Sequence, residues 1–182
     1  MYSGVLDYSA WDGCQSARMC AQKWKCYAES VRVLGIDYGQ RRIGLALSDA
    51  TGLLARPWKT IALQGGAARA ADALAAEVSR LQAEDDGLAA VVLGFPRRLS
   101  GEPNEQTAKV QKLAHSLRGR LTVPLVLQDE RLTSREAEHL LAQRIKDWRK
   151  RKALLDAVSA AVILQDYLDG ASIARSKEDE AT

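Results

Sequence analysis

Residues 31–49 read VRVLGIDYGQRRIGLALSD, two apolar runs flanking a short polar turn that contains glycine. Val31 to Asp37 is dense in branched apolar residues, as expected of a buried strand, and Ile43 to Asp49 supplies a second strand. The intervening YGQRR is short enough for a tight turn only, so the second strand runs back beside the first as a β-hairpin. This hairpin leaves Asp37 at the end of a buried strand, with Arg41 and Arg42 in the turn beside it.

The pattern extends outward from the hairpin. Trp58 to Leu63 adds a third strand, and the Ala-rich stretch Gly66 to Glu84 carries Leu74, Val78 and Leu81 at helical spacing. LAAVVLG, residues 88–94, is a short buried strand. Its loop FPRRLSGEPN holds Arg97 and Arg98. Glu105 to Leu117 returns to helical period through Val110, Leu113, Ala114 and Leu117, and VPLVLQ, residues 123–128, is the next strand. Thr133 and Glu136 form a capping box that opens a further helix containing Ala137, Leu140 and Leu141. After a basic break, Ala153 to Leu168 is a last apolar helix, and Gly170 onward reads as a polar tail.

The resulting order, β-β-β-α-β-α-β-α-α, predicts an α/β fold: a mixed five-stranded sheet, with an antiparallel meander and a parallel half, flanked by helices. In such sheets the functional crevice lies beyond the carboxyl ends of the parallel strands. Asp37, the loop after Gly94, and Asp129 with Glu130 all fall there, and Asp156 opens the last helix. Carboxylates gathered in this way hold divalent cations. Hydrolysis of a phosphodiester needs an activated water, a stabilised leaving oxygen and charge neutralisation, which paired Mg²⁺ ions supply when three or four carboxylates hold them.

Basic clusters supply the complementary charge for a nucleic-acid backbone. Arg41 and Arg42, Arg97 and Arg98, Arg131, and the run Lys146, Arg149, Lys150, Arg151 and Lys152 are the candidate phosphate contacts. Each residue also has an ordinary reading. Asp37 before Gly39 could make an Asx-type turn, Asp129 and Glu130 could be solvated or paired with Arg131, and Asp156 could sit in a helix first turn for its dipole. Gly39 and Gly44 serve either turn geometry alone or, in addition, close approach of a phosphate. The basic run around Trp148 could be a solvated loop.

Composition is compatible with this reading. With 182 residues, 47% of them apolar, the chain suits one domain, and its net charge of +3 requires any nucleic-acid affinity to come from clustered charge. No stretch approaches the length of a membrane span and no secretory leader is visible, so a cytoplasmic protein without membrane attachment is expected. Cys14, Cys20 and Cys26 have no histidine nearby and match no standard zinc spacing. The expected organisation is a weakly ordered extension over residues 1–30, a domain over 31–170 and a flexible tail over 171–182. Met19 lies within the extension, and a start there is an alternative that amino-terminal sequencing would settle.

Four segments, LGIDYGQRRIGLALSD, VVLGFPRRLSGEPNEQT, LQDERLTSREAE and LLDAVSAAVILQDYLD, resemble in order the motifs of the YqgF/RuvX family. The resemblance covers roughly residues 31–170. It implies an RNase H-like fold related to RuvC-type Holliday junction resolvases and a nuclease of the bacterial cytoplasm that matures the 5′ end of pre-16S rRNA in ribosome biogenesis. It places the family's acidic positions on Asp37, on Glu130 with Asp129 beside it, and on Asp156, with Mg²⁺ or Mn²⁺, as two ions, between them. The chain departs from the family at Gln40 and at Arg97 and Arg98. Its expected partner is a ribosomal RNA precursor, bound by a monomer or homodimer. A DNA resolvase and a non-catalytic assembly factor are the alternatives. GIDYGQRRIG alone also resembles the phosphate loop of actin-like ATPases and sugar kinases, whose duplicated folds need a longer chain.

Overall fold

Branched apolar residues at both parities of a short run favour strands covered on two faces, and the central strands of the sheet are of this kind. A computed structural model describes residues 32–63, 65–96, 105–129 and 148–179, the last stretch with its side chains over 155–172. The hairpin forms as β1 (Arg32–Tyr38) and β2 (Arg42–Ser48), followed by β3 (Ala55–Ala62), α1 (Ala67–Gln82), β4 (Leu88–Phe95), α2 (Glu105–Arg118), β5 (Leu125–Asp129) and α3 (Trp148–Asp179). The extension over 1–30 and the helix expected to open at Thr133 lie outside the described residues.

The sheet order is β3-β2-β1-β4-β5. β1 pairs antiparallel with β2, placing Asp37 opposite Gly44, and parallel with β4, while β4 pairs parallel with β5. The antiparallel meander and the parallel half are thus as the sequence order predicts. Alternation of side chains divides two cores between the faces. Leu34, Ile36, Ile43, Leu45, Val91 and Leu93 pack under α1 and α2 with Leu74, Leu81, Leu113 and Leu117. Val33, Ala46, Ala90 and Val92 face α3 through Ala160, Ile163, Leu164 and Leu168.

The last helix differs from expectation at both ends. It begins at Trp148, so the basic run through Lys152 lies in its first turns and not in a loop, because Lys and Arg are good helix formers. It also runs past Gly170 to Asp179 where a polar tail was expected. A Cβ at Gly170 would meet nothing, so this glycine is a tolerated exposed helical position and not a terminator.

Two devices fix the far end of the sheet. Buried Ser48 accepts a hydrogen bond from the Val33 amide at 2.8 Å and donates to the Asp49 carbonyl at 2.9 Å. Gln165 of α3 accepts from the Ala55 amide and donates to the Leu53 carbonyl, tying the β2–β3 loop to the helix. Replacing Ser48 by alanine strands the buried Val33 donor, and thermal or urea unfolding should show a loss of about 1–3 kcal/mol.

Candidate active site

The carboxyl end of β1 is the centre of the site. Asp37 has the parity of Val33 and Gly35, so it stands on the face that α3 covers. It is reached there by Asp156, whose helix lies unusually close to the sheet. A Cβ at Gly44 would sit 1.8 Å from the Asp156 carbonyl oxygen, and one at Gly35 would sit 2.9 Å from the Ala160 carbonyl oxygen. Two glycines on neighbouring strands therefore form a seat for successive turns of α3. Gly44 serves this helix, not a turn or an approaching phosphate as the sequence suggested.

The seat brings two like charges together. Burial first, and the negative charge of Asp156 second, push the Asp37 carboxyl up to about 6 from its ordinary 3.8. Arg42, expected to grip phosphate, instead pairs with Asp156, its Nε 2.6 Å from Oδ2, with both side chains partly exposed. Asp156 is not at a helix start either. It lies eight residues inside α3, beyond the turn where a dipole would stabilise it.

Beside Asp37 opens a cleft of about 240 Å³ lined by Tyr38, Gly39, Gln40, Gly94 and Gln106. Gly94 leaves this wall without a side chain. The first turn of α2 holds the cleft's edge: Gln106 donates through Nε2 to the Tyr38 carbonyl, and Thr107 donates through Oγ1 to the Pro96 carbonyl at 2.6 Å. Gln106 Oε1 is buried and has no hydrogen-bond partner among the described residues. The sequence reading missed Gln106, although the rule that crevices open beyond parallel strands points to the first turn of each crossover helix.

The remaining candidates divide. Asp129 is the last residue of β5, and its parity is that of Leu125 and Leu127, which pack under α1 and α2. Its side chain is thus on the face opposite Asp37, because a one-residue step along a strand changes face; as a reserve metal ligand it is displaced. Arg41 is exposed in the turn beside the cleft, and its carbonyl accepts from the Leu63 amide. The side chains of Arg149, Lys150, Arg151 and Lys152, and the whole of Arg97, Arg98, Glu130, Arg131 and Lys146, lie outside the described residues.

Among the described residues no three acidic, histidine or cysteine side chains cluster as a complete metal cage. The Asp37 and Asp156 pair nonetheless suits a hard cation: Mg²⁺ takes one or two protein carboxylates and keeps water or phosphate oxygens elsewhere. A carboxyl whose charge is penalised by burial and by a like neighbour gains most from a cation.

A mixed sheet in this order, with one carboxylate at the end of its central strand and another on the helix that covers it, defines an RNase H-like α/β protein with an acidic cleft. The chain belongs to the RuvX family, described as Holliday junction resolvase, which it matches over residues 31–170. It is 37% identical over 142 residues to a protein of Syntrophus aciditrophicus named "Putative pre-16S rRNA nuclease", covering 78% of this chain and 91% of that one. A Chloroflexus aggregans protein of the same name is 40% identical over 137 residues, covering 75% and 92%. Among solved structures, Thermus thermophilus RuvC in complex with a Holliday junction substrate aligns over 73% of this chain and 91% of that one, with 18% identity and a TM-score of 0.45. No helix among the described residues is long and apolar enough to cross a membrane.

Proposed function

We propose that this chain is a metal-dependent endonuclease of the cytoplasm that acts in maturation of the 5′ end of pre-16S rRNA. The observation that carries the reading is the enforced proximity of Asp37 and Asp156, built by the Gly44 seat and registered in the raised carboxyl of Asp37. The names of its relatives supply the substrate. Asp37, Asp156 and Glu130 would hold Mg²⁺ or Mn²⁺, as two ions. Bound there, the metal supplies an activated water and neutralises charge on the phosphodiester. The chain's own groups do the rest. Asp37 must give up its proton before it can serve as a ligand, Gly94 leaves room at the cleft wall, and the α2 first turn keeps β1 and β4 in register around the scissile group. Arg42 offsets part of the charge of Asp156, leaving enough to disfavour ionisation of Asp37.

The family's description favours a second reading, a resolvase of four-way DNA junctions. Purified protein with Mg²⁺ or Mn²⁺ should be offered a labelled precursor carrying the 5′ leader of the small-subunit RNA and, separately, a four-way junction. Cleavage of the precursor, with the junction left intact and activity abolished by Asp156→Asn, is the expected result. Preferential junction cutting would establish the resolvase. Tight precursor binding with no cleavage in either metal would leave a non-catalytic assembly factor.

A further inference from the structure

Behind the turn that joins β1 to β2 lies a second cavity, of about 280 Å³, that shares Tyr38, Gly39 and Gln40 with the Asp37 cleft. Its opposite wall is formed by Lys109 and Lys112 of α2, and its floor by Gly66 and Ala67 where α1 begins. The two lysines are three residues apart on one helix face, both exposed, and neither forms an ion pair among the described residues. The other helix on this side of the sheet is different. There Arg80 is paired with Glu77 and Glu84, and Glu77 also with Lys59 of β3, although Arg69 in its first turn is exposed like the two lysines. The first turn of α1, facing the lysines, contains no acidic residue.

We infer that this cavity seats the phosphodiester backbone of the substrate strand beside the bond that is cut, with Lys109 and Lys112 as its phosphate contacts. The inference rests on the nuclease reading and deepens it. Two observations converge: the cavity shares Tyr38, Gly39 and Gln40 with the acidic cleft, and its two lysines form no ion pair among the described residues. A polyanion at the carboxylate pair is repelled wherever the pair's charge is not offset by metal. A neighbouring basic seat offsets that repulsion and fixes where the strand crosses the site. Neither lysine stands out in the sequence, because isolated lysines on an amphipathic helix look like any solvated face.

Binding and cleavage are separated experimentally by working in Asp37→Asn protein. Fluorescence anisotropy of a labelled single-stranded segment of the precursor is followed over a salt series for the parent background and for added Lys109→Gln, Lys112→Gln, both together, and Arg56→Gln. Arg56 is exposed on β3, on the edge of the sheet, and serves as the charge-matched control. Each lysine substitution should lower the slope of log affinity against log salt by roughly 0.7, and the pair should weaken binding on the order of tenfold near 0.1 M salt. Arg56→Gln should leave the slope unchanged. Both lysines are exposed, so the melting temperature should not move and a loss of affinity will not reflect unfolding. An unchanged slope in the double variant overturns the seat, as does equal loss with Arg56→Gln or failure of the background protein to bind the strand at all. Cleavage is scored separately with the unsubstituted chain. If it cuts nothing while the lysine variants still lose slope, the nuclease reading falls and the strand seat stands.

Discussion

Gly44→Ala should unfold more easily than the parent by about 3 kcal/mol, the upper end of what overpacking costs, and what folds should cleave about a hundredfold more slowly. The new methyl group would lie 1.8 Å from the Asp156 carbonyl oxygen, whereas even tight contacts stay beyond 3.0 Å. Neither partner is a flexible side-chain tip. The atoms it would meet, the Asp156 carbonyl and the Ala157 amide nitrogen, are backbone, so α3 must retreat by more than an ångström and carry Asp156 away from Asp37. The matched comparison is Gly35→Ala, whose methyl would meet Leu164 Cβ at 2.8 Å and the Ala160 carbonyl at 2.9 Å. There a shift of a few tenths of an ångström restores contact, one helical turn from the carboxylates. Urea unfolding and turnover measured on both variants test the account. Equal activity in the two would mean that the closeness of α3 at Gly44 does not set the geometry of the site.

The contrast between these glycines shows what the sequence could and could not reveal. Strand positions and the mixed order were legible because they follow from short-range facts: branched apolar runs, the short turn YGQRR and an Ala-rich amphipathic stretch. Asp37 was legible as a buried acid at a strand end. What brings Asp156 to it was not, since Gly44 pairs with Asp37 across 7 residues of chain but touches Asp156 across more than a hundred. A glycine inside a strand announces close approach without naming the visitor. Arg42 misled for a similar reason. An arginine beside an acidic cleft suits a phosphate and a carboxylate equally well, and only the position of α3 shows that Asp156 takes it. The basic run at the start of α3 has the charge density of a solvated loop, but its lysines and arginines are also good helix formers, and the helix takes them in. For Asp129, strand-end position pointed to the site while side-chain alternation points away from it. That leaves Glu130 as the third carboxylate on which the proposed metal site depends.

Asp37→Asn is expected to reduce cleavage by more than the 10–100-fold typical of losing a metal's outer-shell partner, and at the same time to stabilise the metal-free protein. The second effect follows from sign. An acid whose folded pKa is about 6 and whose ordinary value is 3.8 binds its proton more tightly in the folded state, so ionising it costs stability. That cost is absent below pH 3.8, grows between there and pH 6, and is complete above. Its full size is on the order of 2–3 kcal/mol, or roughly 5–10 °C of melting temperature for a chain of this length. Asparagine carries no charge and escapes it. The melting curves of parent and variant should therefore nearly coincide at pH 4 and separate most at pH 7 to 8, the variant being the more stable. Adding Mg²⁺ or Mn²⁺ should reverse the order, because a ligand that binds only the folded state stabilises the chain that can bind it. The same titration makes metal uptake by the parent release a proton below about pH 6, measurable as a buffer-dependent heat. A variant no more stable than the parent at pH 8 would show that Asp37 is not held in the buried, repelled state described, and that the acidic pair is an ordinary strand-end charge beside a helix.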